Sequence, residues 1–124
     1  MKQISTGSPF EATMGYSRAV VKGGWCFVSG VTGYDYATMQ MPEGIADQAR
    51  NCFATIAGVL VEAGFEMADI VRVQYTVTAP ELVEALVPVL GENLAQIRPA
   101  ATMVIAGLIR PEMKVEIEVT AFKG

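Results

Sequence analysis

Histidine is absent from all 124 residues. Its absence removes Ser-His and Cys-His nucleophilic pairs, the commonest general base at neutral pH, and most zinc sites. Neither a metal nor a cofactor is expected, and any chemistry has to run on carboxylates, hydroxyls, backbone amides or an ordered water. Charge is scarce as well: 18% of residues carry it, nine basic against thirteen acidic, for a net charge of −4. With no Lys/Arg cluster, binding to nucleic acid through phosphate neutralisation is disfavoured. No run approaches the roughly 18 apolar residues that span a bilayer, and Met1 to Thr6 has no apolar core of signal-peptide type. The expectation is a cytoplasmic protein without membrane association. Cysteine is limited to Cys26 and Cys52, each among apolar neighbours, which reads as two buried free thiols rather than a disulfide.

What is plentiful is apolar surface, 52% of the residues. That excludes disorder, and the length fits one domain over residues 1–124. So short a chain has too little interior to hide that fraction, so association with further copies is expected. Arg18 to Lys22 and Trp25 to Ser29 are β-rich runs split by Gly23-Gly24, a two-residue hairpin signal. Val31 to Glu43 has no steady period and reads as a loop. From Gly44 to Gly64 the apolar residues Ile45, Ala49, Cys52, Phe53, Ile56, Leu60 and Ala63 recur at three and four, predicting a helix closed by Gly64.

Ile70 to Thr78 alternates as a strand, with Val71, Val73, Tyr75 and Val77 on one face. Thr78-Ala79-Pro80-Glu81 carries the spacing of a capping box with proline in the first turn. It predicts a second helix to about Leu94, burying Leu82, Leu86, Val89 and Leu90 and kinked by Pro88. Strands at Thr102 to Ala106 and Lys114 to Phe122, joined by a turn around Arg110-Pro111-Glu112, complete a ββαβαββ order of α+β class. Two helices cover one face of such a sheet. The final strand sets Val115, Ile117, Val119 and Ala121 against Glu116, Glu118, Thr120 and Phe122. A second face of that mixed character suits packing against sister sheets.

Three motifs in order carry a resemblance. Gly15-Tyr16-Ser17-Arg18-Ala19-Val20 is similar to a Gly-Pro-Tyr-Ser-Gln-Ala motif, without its proline and with Arg18 where glutamine is common. Trp25-Cys26-Phe27-Val28-Ser29-Gly30 matches a Leu-Phe-Val-Ser-Gly strand. Arg98-Pro99-Ala100-Ala101-Thr102-Met103 leading to Lys114-Val115-Glu116-Ile117-Glu118 resembles the C-terminal signature. Together they span almost the whole chain and resemble the Rid family, also called the YjgF family or endoribonuclease L-PSP. The resemblance implies a chorismate-mutase-like fold, a homotrimer around a central sheet barrel, and a small-molecule pocket at each subunit interface.

It also implies site residues. Glu116 matches the glutamate held to position water in imine hydrolysis, a role that suits an ionised carboxylate; the plain alternative is a solvated or paired side chain. Tyr16 matches a pocket tyrosine, or else packs an interface. Ser29 and Gly30 match a strand-end pair that approaches the ligand, or else form an ordinary turn. Thr102 and Met103 offer backbone amides, although Met103 stands where many members carry a reactive cysteine. Ala101 is the main departure: the imine deaminases place there an arginine that clamps the substrate carboxylate, a planar fork no other side chain reproduces. Val87 falls where some members have a pocket asparagine, Arg98 reads as a structural or interface arginine, and Arg18 or Arg72 remains an arginine able to reach the pocket from elsewhere. Tyr34, Asp35 and Tyr36 form either a recognition loop or a polar turn.

The sequence thus points to a small-metabolite-binding protein, possible hydrolase of an imine or enamine-type bond with a Glu116-held water, but not a standard 2-imino acid deaminase. The alternative is a non-catalytic metabolite-binding or regulatory module. RNA cleavage ranks last, given the missing histidine and the acidic balance.

Overall fold

The computed structural model describes residues 1–124. The backbone forms strands β1 (Lys2–Ile4), β2 (Ala19–Lys22), β3 (Trp25–Thr32), β4 (Ile70–Val77), β5 (Ala100–Ile105) and β6 (Val115–Phe122). Helices α1 (Pro9–Met14), α2 (Ile45–Ala63) and α3 (Val83–Leu94) complete it. The ββαβαββ order is present as β2-β3-α2-β4-α3-β5-β6, preceded by a strand and a short helix that lack a strong period. Ser8 and Pro9 are the local reason for α1: the Ser8 hydroxyl accepts from the Phe10 N–H at 3.3 Å and proline occupies the first turn.

All strands join one sheet in the order β1-β2-β3-β6-β4-β5. Only β4 and β5 run parallel, because α3 provides the crossover that a parallel pair requires. The last strand does not pair with the one before it. It inserts between β3 and β4, which places Glu116 at the centre of the sheet. Val115, Ile117, Val119 and Ala121 face the helices and are buried with Ile56, Leu60, Leu86 and Val89 in one core.

Gly23-Gly24 makes the expected hairpin, pairing Lys22 with Trp25, and Gly64 ends α2 in a left-handed conformation at φ 85°. Three expectations change. Val71 is 43% exposed and Ile70 buried, because a register irregularity between Ile70 and Arg72 reverses the alternation there. Thr78 caps no helix: its N–H is drawn to the Lys114 carbonyl at 3.1 Å, and a 3₁₀ turn at Pro80–Leu82 precedes α3. Of the expected apolar face, Leu86 and Val89 are buried with Leu94, whereas Leu90 and Leu82, the latter in the 3₁₀ turn, only flank the core.

Gln48 on α2, fully buried, joins the loops that will wall the site. Its amide donates to the carbonyls of Pro42 (2.9 Å) and Glu112 (3.0 Å) and accepts from the Lys114 N–H (2.9 Å). Gly33 packs so closely on it that a Cβ there would lie 2.6 Å from the Gln48 Cα. Substituting Gln48→Met leaves these backbone groups without partners, at about 1–3 kcal/mol for each one that water does not reach. Urea unfolding should record a loss of at least about 2 kcal/mol.

Candidate functional site

A cavity of about 250 Å³ opens where α1, the end of β3, the loop before β6 and β6 itself meet. Phe10, Met14, Tyr36, Ile109 and Met113 give it apolar and aromatic walls; Tyr16, Ser29, Gly30, Thr32 and Glu116 supply its polar groups. Its shape begins with a β-bulge. The β3–β6 register shifts between Val28 and Val31, lifting Ser29 and Gly30 out of regular pairing, a device that redirects side chains beside functional sites. Glycine is required at position 30 by proximity: a Cβ there would lie 2.6 Å from the Glu116 Oε1.

Glu116 is half-buried and is the only ionisable carboxylate lining the cavity. Burial pushes its carboxyl above the ordinary glutamate range; neighbouring Glu118 adds to the rise and Arg18 opposes it. Tyr16 is also shifted upward, mainly by burial, so its phenol remains a proton donor at neutral pH. The Ser29 hydroxyl points back to the β2 side, 3.0 Å from the Ser17 carbonyl and 2.9 Å from that of Arg18. With its proton committed, Ser29 can offer a ligand only acceptor lone pairs.

Beneath the cavity lies Arg18, fully buried. One Nη donates to the Gly30 carbonyl at 2.7 Å and the other to the Tyr16 hydroxyl at 3.4 Å. The guanidinium carbon is 4.8 Å from the Tyr36 ring centroid and 5.5 Å from that of Tyr16. Its Nε has no hydrogen-bond partner and lies 3.8 Å from the Glu11 carboxylate. Burial alone would raise the Glu11 carboxyl, but hydrogen bonds from Thr6 and the Arg18 charge hold it below the ordinary range. Arg18 does not line the cavity; it fixes the residues that do.

The loop after β3 divides between its two expected roles. Asp35 makes a turn, accepting from the Ala37 N–H at 3.0 Å, whereas Tyr36 lines the cavity and bonds the Thr32 N–H through its hydroxyl at 3.1 Å. Tyr34 is buried; its hydroxyl donates to Glu112 at 2.5 Å, and burial with that bond pushes its pKa up to about 12. This contact, with Gln48, fixes the loop carrying Ile109 and Met113.

Of the residues singled out in the sequence, Tyr16, Ser29, Gly30 and Glu116 share this cavity. Ala101, Thr102 and Met103 stand apart on edge strand β5, beyond β4 from Glu116. Register puts Ala101 and Met103 on the face of Val73 and Tyr75, and Thr102 on the opposite one. Val87 is exposed on α3, Arg98 adopts φ 54° just after that helix, and Arg72 bonds Gln74. Sequence reading missed Phe10, Met14, Thr32, Ile109 and Met113. Only the Ser8-Pro9 helix start gave a local sign of the first two.

A six-stranded mixed sheet with α2 and α3 on one face, and a largely apolar cleft holding one carboxylate at a bulge in the third strand, defines an α+β protein of chorismate-mutase-like fold. The family model for endoribonuclease L-PSP matches residues 6–123, and the chain belongs to that family. It is similar to the crystal structure of a Mycobacterium tuberculosis member of the YjgF/YER057c/UK114 family, with 36% identity, TM-score 0.90 and 98% of each chain covered. RidA from the Antarctic bacterium Psychrobacter sp. PAMC 21119 is 30% identical with TM-score 0.89, over 99% of this chain and 100% of that one. A 2-iminobutanoate/2-iminopropanoate deaminase of Dermatophagoides farinae is 30% identical over 104 residues, 83% of this chain and 81% of that protein.

A carboxyl whose pKa is higher folded than unfolded adds stability below its unfolded pKa and loses that contribution as pH rises through the folded value. Ionised Glu116 therefore weakens the fold at neutral pH. Glu116→Gln should melt higher than the native protein at pH 7, with the gain shrinking as pH falls and Glu116 takes up its proton. Paired thermal melts at falling pH measure it.

Proposed function

We propose that this protein binds a small, planar, largely apolar metabolite in the Glu116 cavity and hydrolyses an imine or enamine-type bond in it. The observation that carries this reading is the Glu116 carboxyl, held against Gly30 with its pKa raised, in a cavity that Tyr16 also lines. A carboxylate more basic than usual is a better proton acceptor at neutral pH. Glu116 would orient a water and take its proton as the water oxygen adds to the imine carbon. The C=N bond becomes single and the proton passes to nitrogen, giving a carbinolamine; Glu116 then relays the carbinolamine hydroxyl proton to nitrogen as the C–N bond breaks, releasing ammonia and leaving a carbonyl. Tyr16, protonated and positioned by Arg18, would donate to the polar end of the ligand.

The site is proposed to be completed by a second copy of the chain in a homotrimer. Two features support this. Edge strand β5 exposes Val104 and Ile105, and the sheet face away from the helices exposes Trp25, Phe27 and Phe122. The Trp25 ring lies 4.6 Å from that of Phe122 and 6.1 Å from that of Phe27, an apolar cluster suited to burial by another sheet. In such an assembly Ala101, Thr102 and Met103 would reach a neighbour's cavity from β5, with Ala101 giving no guanidinium to a short imino acid.

Enzymatically generated 2-iminopropionate should therefore decay no faster with the native protein than without it, whereas Ala101→Arg should gain hydrolysis. Rapid turnover by the native protein would return it to the 2-imino acid deaminases. For a substrate that is turned over, Glu116→Gln should reduce kcat by about 10²–10⁴-fold, the range of general base catalysis. Ligand binding without turnover in the native protein would instead identify a metabolite-sensing module.

A further inference from the structure

The cavity does not end at Met14. A second hollow of about 530 Å³, bordered by Pro9, Thr13 and Arg110, shares Phe10, Met14 and Ile109 with the first. The two hollows adjoin along these three apolar side chains, with Glu116 lining only the first and Arg110 only the second. The Arg110 guanidinium lies 5.0 Å from the Phe10 ring centroid and has no side-chain hydrogen bond or ion pair within the chain. An arginine stacked on a ring through its face leaves its N–H edges directed outward, in the fork that fits a carboxylate.

We propose that Arg110 is the anion-binding residue of this protein, receiving the terminal carboxylate of an elongated ligand whose apolar body lies along Phe10, Met14 and Ile109. This rests on reading the Glu116 cavity as the ligand site. The charge pattern orients such a ligand: its anion is repelled by Glu116 and attracted by Arg110, which presents its uncharged end to the carboxyl. The clamp is also pre-set. Arg110 opens a turn closed by the Met113 N–H on its carbonyl at 3.1 Å, followed by Pro111. The nearby Glu112 carboxylate, which accepts the Tyr34 hydroxyl, feels the Arg110 charge but forms no ion pair with it, so the guanidinium N–H groups stay unpaired. The loss of arginine at position 101 then signifies a changed ligand length, with the anion gripped farther from the reacting end.

The test uses straight-chain alkanoates from hexanoate to decanoate, each compared with the alkanol of equal length, titrated into the ¹⁵N-labelled protein at pH 7. Both series should shift the amides of Met14 and Ile109. At the best-fitting length the alkanoate should bind about tenfold more tightly, as expected of a charge-assisted hydrogen bond at a partly open site. Added salt should weaken the alkanoate alone. Arg110→Gln should abolish the preference while sparing alkanol binding, and Arg110→Lys should retain part of it. Equal affinity for the two series in the native protein overturns the Arg110 clamp but leaves the ligand cavity standing, as does a preference that survives in Arg110→Gln. Absence of binding by either series overturns both readings.

Discussion

The buried guanidinium of Arg18 is the contact on which the rest of the site depends. A charge with no exposed surface is tolerable only where partners compensate for lost water, and removing one member of a buried pair typically costs about 3–5 kcal/mol. Arg18 draws those partners from four places: Glu11 on α1, Tyr16 ahead of β2, Gly30 in the bulge of β3 and Tyr36 in the loop beyond. Satisfying that one charge holds the short helix, the tyrosine, the bulge and the loop in fixed relation. Its unpartnered Nε shows that the arrangement favours position over complete hydrogen bonding.

On that platform the strands set the chemistry. β6 enters between β3 and β4, so Glu116 leaves the middle of the sheet beside the bulge, and the missing side chain at Gly30 lets its carboxyl lie close to the backbone. The same burial that makes Glu116 a stronger base makes its ionised form unfavourable for the fold. The core below, with Ile117 and Val119 on the opposite face of the same strand, supplies the compensating stability. Alternation along one strand thus separates the residues that stabilise from the carboxylate that lines the cavity.

The two arginines near the cavity have different parts. Arg18, enclosed by tyrosines and committed to backbone and carboxylate, shapes the site without touching its contents. Arg110, stacked on Phe10 at the rim, has unspent donors. Ala101 brings no guanidinium to β5, and the unpaired Arg110 is the group proposed to receive an anion instead. Family membership therefore accounts for the scaffold.

The sequence by itself determined the α+β class, the helix from Ile45 to Ala63 with its glycine end, the hairpin at Gly23-Gly24 and the inward face of β6. Each follows from a local period or a turn residue whose conformation is set by near neighbours. The motifs around Tyr16, Ser29 and Glu116 were also legible, but only through their resemblance to the family's own motifs. Tertiary structure alone decided which strand β6 joins, that Val71 turns outward at an irregular register, and that Thr78 bonds to the chain before β6 instead of capping α3. It alone also placed Phe10 and Met14 opposite Ile109 and Met113, nearly the whole chain apart in sequence. Such pairings depend on long-range contacts and on which buried polar groups must be satisfied, and no local pattern records them.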